Sequence, residues 1–173
     1  MDIQLLGKDS LKIKSKRTTI AVDLKSALQK IDADAVLIID KTSDATRVNG
    51  SRITIDGVGE YEISGLKVSG IKSDKDIMYG LSSETMDAIV AKASALEKIP
   101  ADKIGEYQIA IINVDSDLNQ SVVTSIEPRV VVLYGEKARE GAKVLGKEEV
   151  TKTAKITITE EKLPEEMDVI LLG

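Results

Sequence analysis

Three stretches of this chain are apolar without a break: Val36-Leu37-Ile38-Ile39, Ile109-Ala110-Ile111-Ile112 and Val130-Val131-Val132-Leu133. A strand with one wet face alternates apolar and polar side chains, so an uninterrupted aliphatic run fits a strand buried on both faces. Three sheet-centre strands imply covering layers on both sides. Around them lie further runs with strand character at Ile3 to Leu6, Leu11 to Lys14, Thr18 to Val22, Arg52 to Ile55, Tyr61 to Ile63, Leu66 to Ile71, Lys155 to Thr159 and Val169 to Leu172. Turn residues such as Gly7, Asp9, Ser15 and Gly50 separate them. The core must be aliphatic, because 21 Ile, 15 Val and 15 Leu stand against four Tyr and no Phe or Trp, and the β-branched excess favours strands. With 173 residues and no Pro-, Gly- or Ser-rich linker, one domain spanning 1–173 is expected.

Helical signals are fewer. Leu24 to Ile31 places Leu24, Leu28 and Ile31 on one helical face. Asn119 to Glu127, with Val122, Val123 and Ile126 inward, stops before Pro128, and a third candidate runs from Glu136 to Leu145 and ends at Gly146. Ser83 to Lys98 is ambiguous. By period alone it reads as a helix, since Met86, Ile89, Val90 and Ala93 follow a Ser cap at helical spacing.

Composition excludes whole classes of chemistry. The chain has no Cys and no His. That removes disulfides, thiolate nucleophiles and iron–sulfur clusters, and with them imidazole bases and His-ligated zinc. The net charge is −5 with both signs interspersed, and the basic run Lys12 to Arg17 begins as the alternation Leu11-Lys12-Ile13-Lys14. That is one solvated strand face, so nucleic acid is not expected as a partner. No apolar run approaches the ~20 residues of a membrane span, and Met1-Asp2-Ile3 opens a strand pattern where a signal peptide would begin, so a soluble, cytoplasmic protein is expected.

The segment Ile55-Asp56-Gly57-Val58-Gly59-Glu60-Tyr61-Glu62-Ile63-Ser64-Gly65-Leu66 resembles the DGPGEYE(I/V)-x-G-(V/I) signature of the metallo-β-lactamase superfamily, in its short, UlaG-like branch of zinc-dependent hydrolases, with Val58 in place of the usual Pro. Leu5-Leu6-Gly7-Lys8-Asp9-Ser10-Leu11-Lys12-Ile13 is similar to the family's opening hairpin. Gly105-Glu106-Tyr107-Gln108-Ile109-Ala110-Ile111-Ile112-Asn113-Val114 resembles GEVDVLLIPV, and Ile126-Glu127-Pro128-Arg129-Val130-Val131-Val132 resembles IEP(K/R)IVI. The resemblance covers most of the chain. It implies an α/β fold, a shortened αββα sandwich of two mainly antiparallel mixed sheets with outer helices. It also implies a strand near Met86 to Ala91, against the helical period there.

The family's metal ligands are not matched. Its H-x-H-x-D-H motif follows a buried strand, and the equivalent here follows Val36-Leu37-Ile38-Ile39-Asp40 and reads Lys41-Thr42-Ser43-Asp44-Ala45-Thr46. Lys41, Ser43 and Thr46 stand where imidazoles would be, and Ala45 where the motif Asp would be. Lys8 lies near the opening-hairpin His, Ser94 at the later Asp and Gly135 at the final His. A lysine cation repels a divalent metal and neutral hydroxyls hold it only weakly, whereas a hydrolytic zinc site needs neutral imidazole or carboxylate ligands at about 2 Å and an open position.

The leading expectation is therefore a non-catalytic homologue, without zinc or other cofactor, that keeps the fold as a binding or assembly scaffold. The competing expectation is a hydrolase whose carboxylates hold Mg²⁺ or Ca²⁺, drawn from Asp23, Asp40, Asp44, Asp56 and Asp115, which all end strand runs. Asp at strand ends is also ordinary turn chemistry. Lys8 with Lys41 offers an anion pocket and Lys41 with Ser43 a Ser-Lys dyad, each against the plainer reading of solvated surface. In a third reading a partner, or a second copy forming a homo-oligomer, covers the vacated site through an edge strand.

Overall fold

The computed structural model describes residues 1–173, the side chain of Ala101 aside. In chain order the elements are β1 (Asp2–Leu5), β2 (Leu11–Ser15), β3 (Thr18–Val22), β4 (Ile31–Asp32), β5 (Ala35–Leu37), β6 (Val48–Asn49) and β7 (Ile53–Ile55). The chain then changes sheet and forms β8 (Gly59–Ile63), β9 (Leu66–Ser73), β10 (Asp76–Ser82), β11 (Asp87–Lys92), α1 (Ala93–Leu96), β12 (Ile109–Asn113), α2 (Gln120–Thr124), β13 (Val130–Tyr134) and α3 (Ala138–Val144). It closes with β14 (Lys152–Thr153), β15 (Lys155–Thr157) and β16 (Asp168–Leu172).

One sheet has the order β15-β1-β2-β3-β5-β7, the other β14-β16-β13-β12-β11-β10-β9-β8, and β4 pairs with β6 apart from both. Both sheets are mixed, as expected, but only the first is mainly antiparallel, in three of its five pairings. In the larger one the four pairings from β14 to β11 are parallel and the three from β11 to β8 antiparallel. Parallel neighbours need a crossover connection, and α1, α2 and the α3 segment supply these over the outer face.

The unbroken apolar runs follow from this layering. Ile109 and Ile111 of β12 and Val130 and Val132 of β13 point between the sheets, where they meet Ile13, Ile20, Val22, Leu37 and Ile55. Their alternates Ala110, Ile112, Val131 and Leu133 face the helical layer, against Ala95, Leu96, Val123, Ile126 and Ala142. In β2, Lys14 stays exposed between buried Ile13 and Ser15, as the alternation predicts.

One expectation changes, and one strand forms where none was expected. No helix forms over Leu24 to Ile31: the carbonyl of Leu24, which a helix would give to Leu28, accepts the N–H of Asp44 instead (2.7 Å), and Leu28 bonds only to Lys25. A helix of two turns is marginal by itself, so this one tertiary bond decides it. The apolar face still packs, because Leu28 and Ile31 lie with buried Leu24 against Ala21 and Ala33 and cover the first sheet as a loop. The added strand is β10, whose Tyr79-Gly80 centre does not read as a strand. Gly80 is there because a Cβ would come within 2.7 Å of the Tyr107 hydroxyl. Asp87–Lys92 is strand (β11) with α1 after it, which follows the family pattern over the helical period.

Candidate functional site

The loops after β3, β5, β11, β12 and β13 meet at one end of the sandwich. Asp23, just past β3, holds that end together. It is buried, 1% exposed, with a left-handed φ of 49°. Its Oδ1 accepts the N–H groups of Ile39 (2.8 Å) and Asp40 (2.9 Å) and the Ser43 hydroxyl (2.7 Å), while its carbonyl accepts the buried Ser10 hydroxyl (2.6 Å). Burial pushes the Asp23 carboxyl above the usual range, although these bonds pull the other way.

Asp40 lies between two ammonium groups. Lys25 Nζ is 3.4 Å and Lys92 Nζ 3.5 Å from Asp40 Oδ2, and Thr42 donates its N–H (2.9 Å) and hydroxyl (3.0 Å) to Oδ1. Lys92 is well covered, with 17% of its side chain exposed. Partial burial opposes ionisation of Asp40, but the Thr42 bonds and the charges of Lys92 and Lys25 outweigh it and bring the carboxyl from 3.8 to about 2. A value below that of the unfolded chain means the pairing stabilises the fold above about pH 4 and is lost as pH falls toward 2. Replacing Lys92 by Met is expected to raise the Asp40 pKa toward 3.8, which carboxyl-carbon NMR titration will read; an unmoved titration would show that the ammonium does not act on this carboxylate.

The other expected residues are dispersed. Asp44 caps a short 3₁₀ turn, Ala45–Arg47, by accepting the N–H (3.0 Å) and hydroxyl (2.6 Å) of Thr46, and Arg47 lies 3.5 Å from it. Lys41 is exposed and turns toward the β9–β10 hairpin while Ser43 turns inward to Asp23, so there is no Ser-Lys dyad. Lys8 pairs with Glu136 at 3.3 Å, both exposed, and so is not joined to Lys41 in an anion pocket. Asp56 is exposed beside Tyr79, whose hydroxyl donates to the carbonyls of Ile38 and Ile55. Ser94 donates its N–H (3.0 Å) and hydroxyl (2.6 Å) to Asp115. Gly135 has a φ of 95°, and a Cβ there would overlap the side-chain oxygen of Asn113, so no larger residue fits without rearrangement.

Sequence reasoning missed Lys25 and Lys92 as site residues. The available signal is Lys92 itself, a charge directly after the buried run Ala88-Ile89-Val90-Ala91. Tyr134, fully buried at the end of β13, keeps an unpartnered hydroxyl, and burial, with the charges of Asp23, Asp9 and Asp115, pushes its pKa far up. Among the described residues, no three His, Cys, Asp or Glu side chains are placed to hold a metal ion together.

No family model matches the chain, and no curated protein sequence matches it. Solved structures do. A metallo-β-lactamase superfamily protein of Thermotoga maritima, classed by its name as a Zn-dependent hydrolase, superposes with a TM-score of 0.77 over 99% of this chain and 98% of its own, at 16% identity. The chain has the metallo-β-lactamase fold. An isothiocyanate hydrolase from Delia radicum gut bacteria shares that fold (TM-score 0.60, 9% identity, 92% and 100% covered), as does the metallo-β-lactamase fold protein YhfI of Bacillus subtilis (0.52, 9%, 98% and 95%). At these identities the likeness is one of fold.

Proposed function

We propose that this protein is a cytoplasmic, non-catalytic metallo-β-lactamase-fold homologue that acts as a binding or assembly scaffold and carries no metal. The observation behind this reading is the Lys92–Asp40–Lys25 cluster. In the alignment with the family's motifs, the Asp40 to Thr46 loop stands at the first ligand motif and Ala91 to Ser94 at the later one, and an ammonium ion pair now ties these two loops together. Two ammonium charges beside Asp40 oppose a divalent cation there, the neighbouring Asp23 carboxylate is turned to the Ile39, Asp40 and Ser43 donors, and Lys41, Ser43, Ala45 and Thr46 bring no anionic ligand. The crowding at Gly135 agrees, since a histidine there would need a new backbone path. Among the described residues, no helix is long and apolar enough to cross a membrane.

A carboxylate-held Mg²⁺ or Ca²⁺ would need several oxygens turned to one point. Asp23, Asp40, Asp44 and Asp115 each face a different set of protein donors instead. The test is elemental analysis of protein purified without chelator, joined to thermal unfolding with and without Zn²⁺, Mn²⁺, Mg²⁺ or Ca²⁺. Less than about a tenth of an equivalent of any metal, and no rise in Tm with any of them, is the expected result, because an ion bound to the native state must stabilise it. Stoichiometric metal bound at the Asp40 to Thr46 loop would overturn the reading.

A further inference from the structure

Beside the Asp40 loop, the exposed Lys41, the turn at Val58 and the β9–β10 hairpin enclose an open groove of about 460 Å³. Three lysines line it, Lys41, Lys72 and Lys75, and among the described residues none of them forms an ion pair. Two carboxylates are also present, but Asp76 is already taken by Lys98 at 3.2 Å, which leaves Asp74 alone against three ammonium groups. In a chain of net charge −5, three lysines without an ion pair thus share one groove.

The groove also has an apolar part. Val58 is 56% exposed and Ile77 half-buried, and both line it. Val58 does not project there by slack in the loop. The Gly57-Val58 turn rests directly on β9 at Gly70, where a Cβ would overlap the Gly57 carbonyl oxygen and come within 3.0 Å of the Val58 Cα. The glycine thus fixes the turn against the sheet and sets the valine at the groove mouth.

We propose that this groove binds a small amphipathic anion, a phosphate or carboxylate headgroup on a short alkyl or aryl body, with Lys41, Lys72 and Lys75 around the headgroup and Val58 and Ile77 against the body. Like charges lining one groove repel one another, so an anion gains both direct charge-assisted contacts and relief of that repulsion. The apolar body gains the burial of the exposed valine. The proposal deepens the scaffold reading and rests on it, because it assigns binding and no reaction to this end of the molecule.

Amide-resolved NMR titration at low ionic strength tests it, with hexyl phosphate, inorganic phosphate and hexylammonium as probes. Hexyl phosphate is expected to give saturable shifts at Lys41, Gly57 to Gly59 and Lys72 to Ile77, to bind more tightly than inorganic phosphate, and to have no counterpart with hexylammonium. Lys72→Glu with Lys75→Glu, both solvent-exposed, is expected to weaken hexyl phosphate at least about tenfold. Val58→Ser is expected to erase the preference over inorganic phosphate. Absence of saturable shifts at these amides, equal affinity for the two phosphates, or a double variant within twofold of the parent would each overturn the proposal. The scaffold reading fails separately, on stoichiometric metal, whatever hexyl phosphate does.

Discussion

Asp23→Ala is expected to remove at least about 4 kcal/mol of unfolding free energy, enough to lower Tm by roughly 10 °C or more in a chain of this size. The substitution strands two backbone N–H groups, those of Ile39 and Asp40, and the Ser43 hydroxyl, all now served by one carboxylate oxygen in a buried setting. Each unsatisfied buried donor costs about 1–3 kcal/mol. Alanine also sits poorly at a φ of 49°, which adds about 1–2 kcal/mol. Asp23→Asn separates these causes. Asparagine tolerates the left-handed conformation and keeps one carbonyl oxygen for the three donors, and the raised pKa of Asp23 shows that burial disfavours its charge. Urea denaturation of the two variants is expected to show the Asn form losing less than half as much as the Ala form. Equal losses would mean that the negative charge itself holds the loop.

Gly70→Ala is the second large effect, a loss of about 2–3 kcal/mol. In an ordinary strand position, alanine would stabilise by restricting the unfolded chain, by about 0.4–1 kcal/mol. Here the new methyl meets backbone, the Gly57 carbonyl oxygen and the Val58 Cα, and neither can swing aside as a side chain could. The Gly57-Val58 turn must lift off β9, or β9 must bend away from its partners β8 and β10. Overpacking of this kind costs about 1–3 kcal/mol. Denaturation measures the loss, and amide shifts confined to 56–59 and 69–71 would show that the turn moved and the sheet did not. A variant as stable as the parent would show that the turn is free to rise.

The strand framework was legible because its signal is local. Thr18 to Val22 is a strand over the same residues in sequence and in structure, and the ends of β1, β2, β9 and β16 fall within about two residues of those expected. Where the chain was misread, a distant residue decided. Asp44 takes the carbonyl that a helix from Leu24 would have used, and Tyr107 fills the space that makes Gly80 acceptable inside a strand. The candidate site was legible in part. The Asp40 to Thr46 loop and Ser94 do lie where loops from both sheets come together, yet Lys41, Asp56 and Lys8 point elsewhere. The partners that give Asp40 its low pKa, Lys25 and Lys92, come from other segments of the chain, and spacing cannot reveal a contact between residues 52 positions apart.

By itself, then, the sequence determined the aliphatic two-sheet core, through runs whose period requires cover on one face or both, and it ruled out imidazole and thiolate chemistry by composition. Only the tertiary structure decided that two lysines close on Asp40 and that three others, without an ion pair among the described residues, line one groove beside Val58. Charges act through space and are indifferent to chain separation, so their grouping exists only once β5, β11 and the β9–β10 hairpin have been packed together.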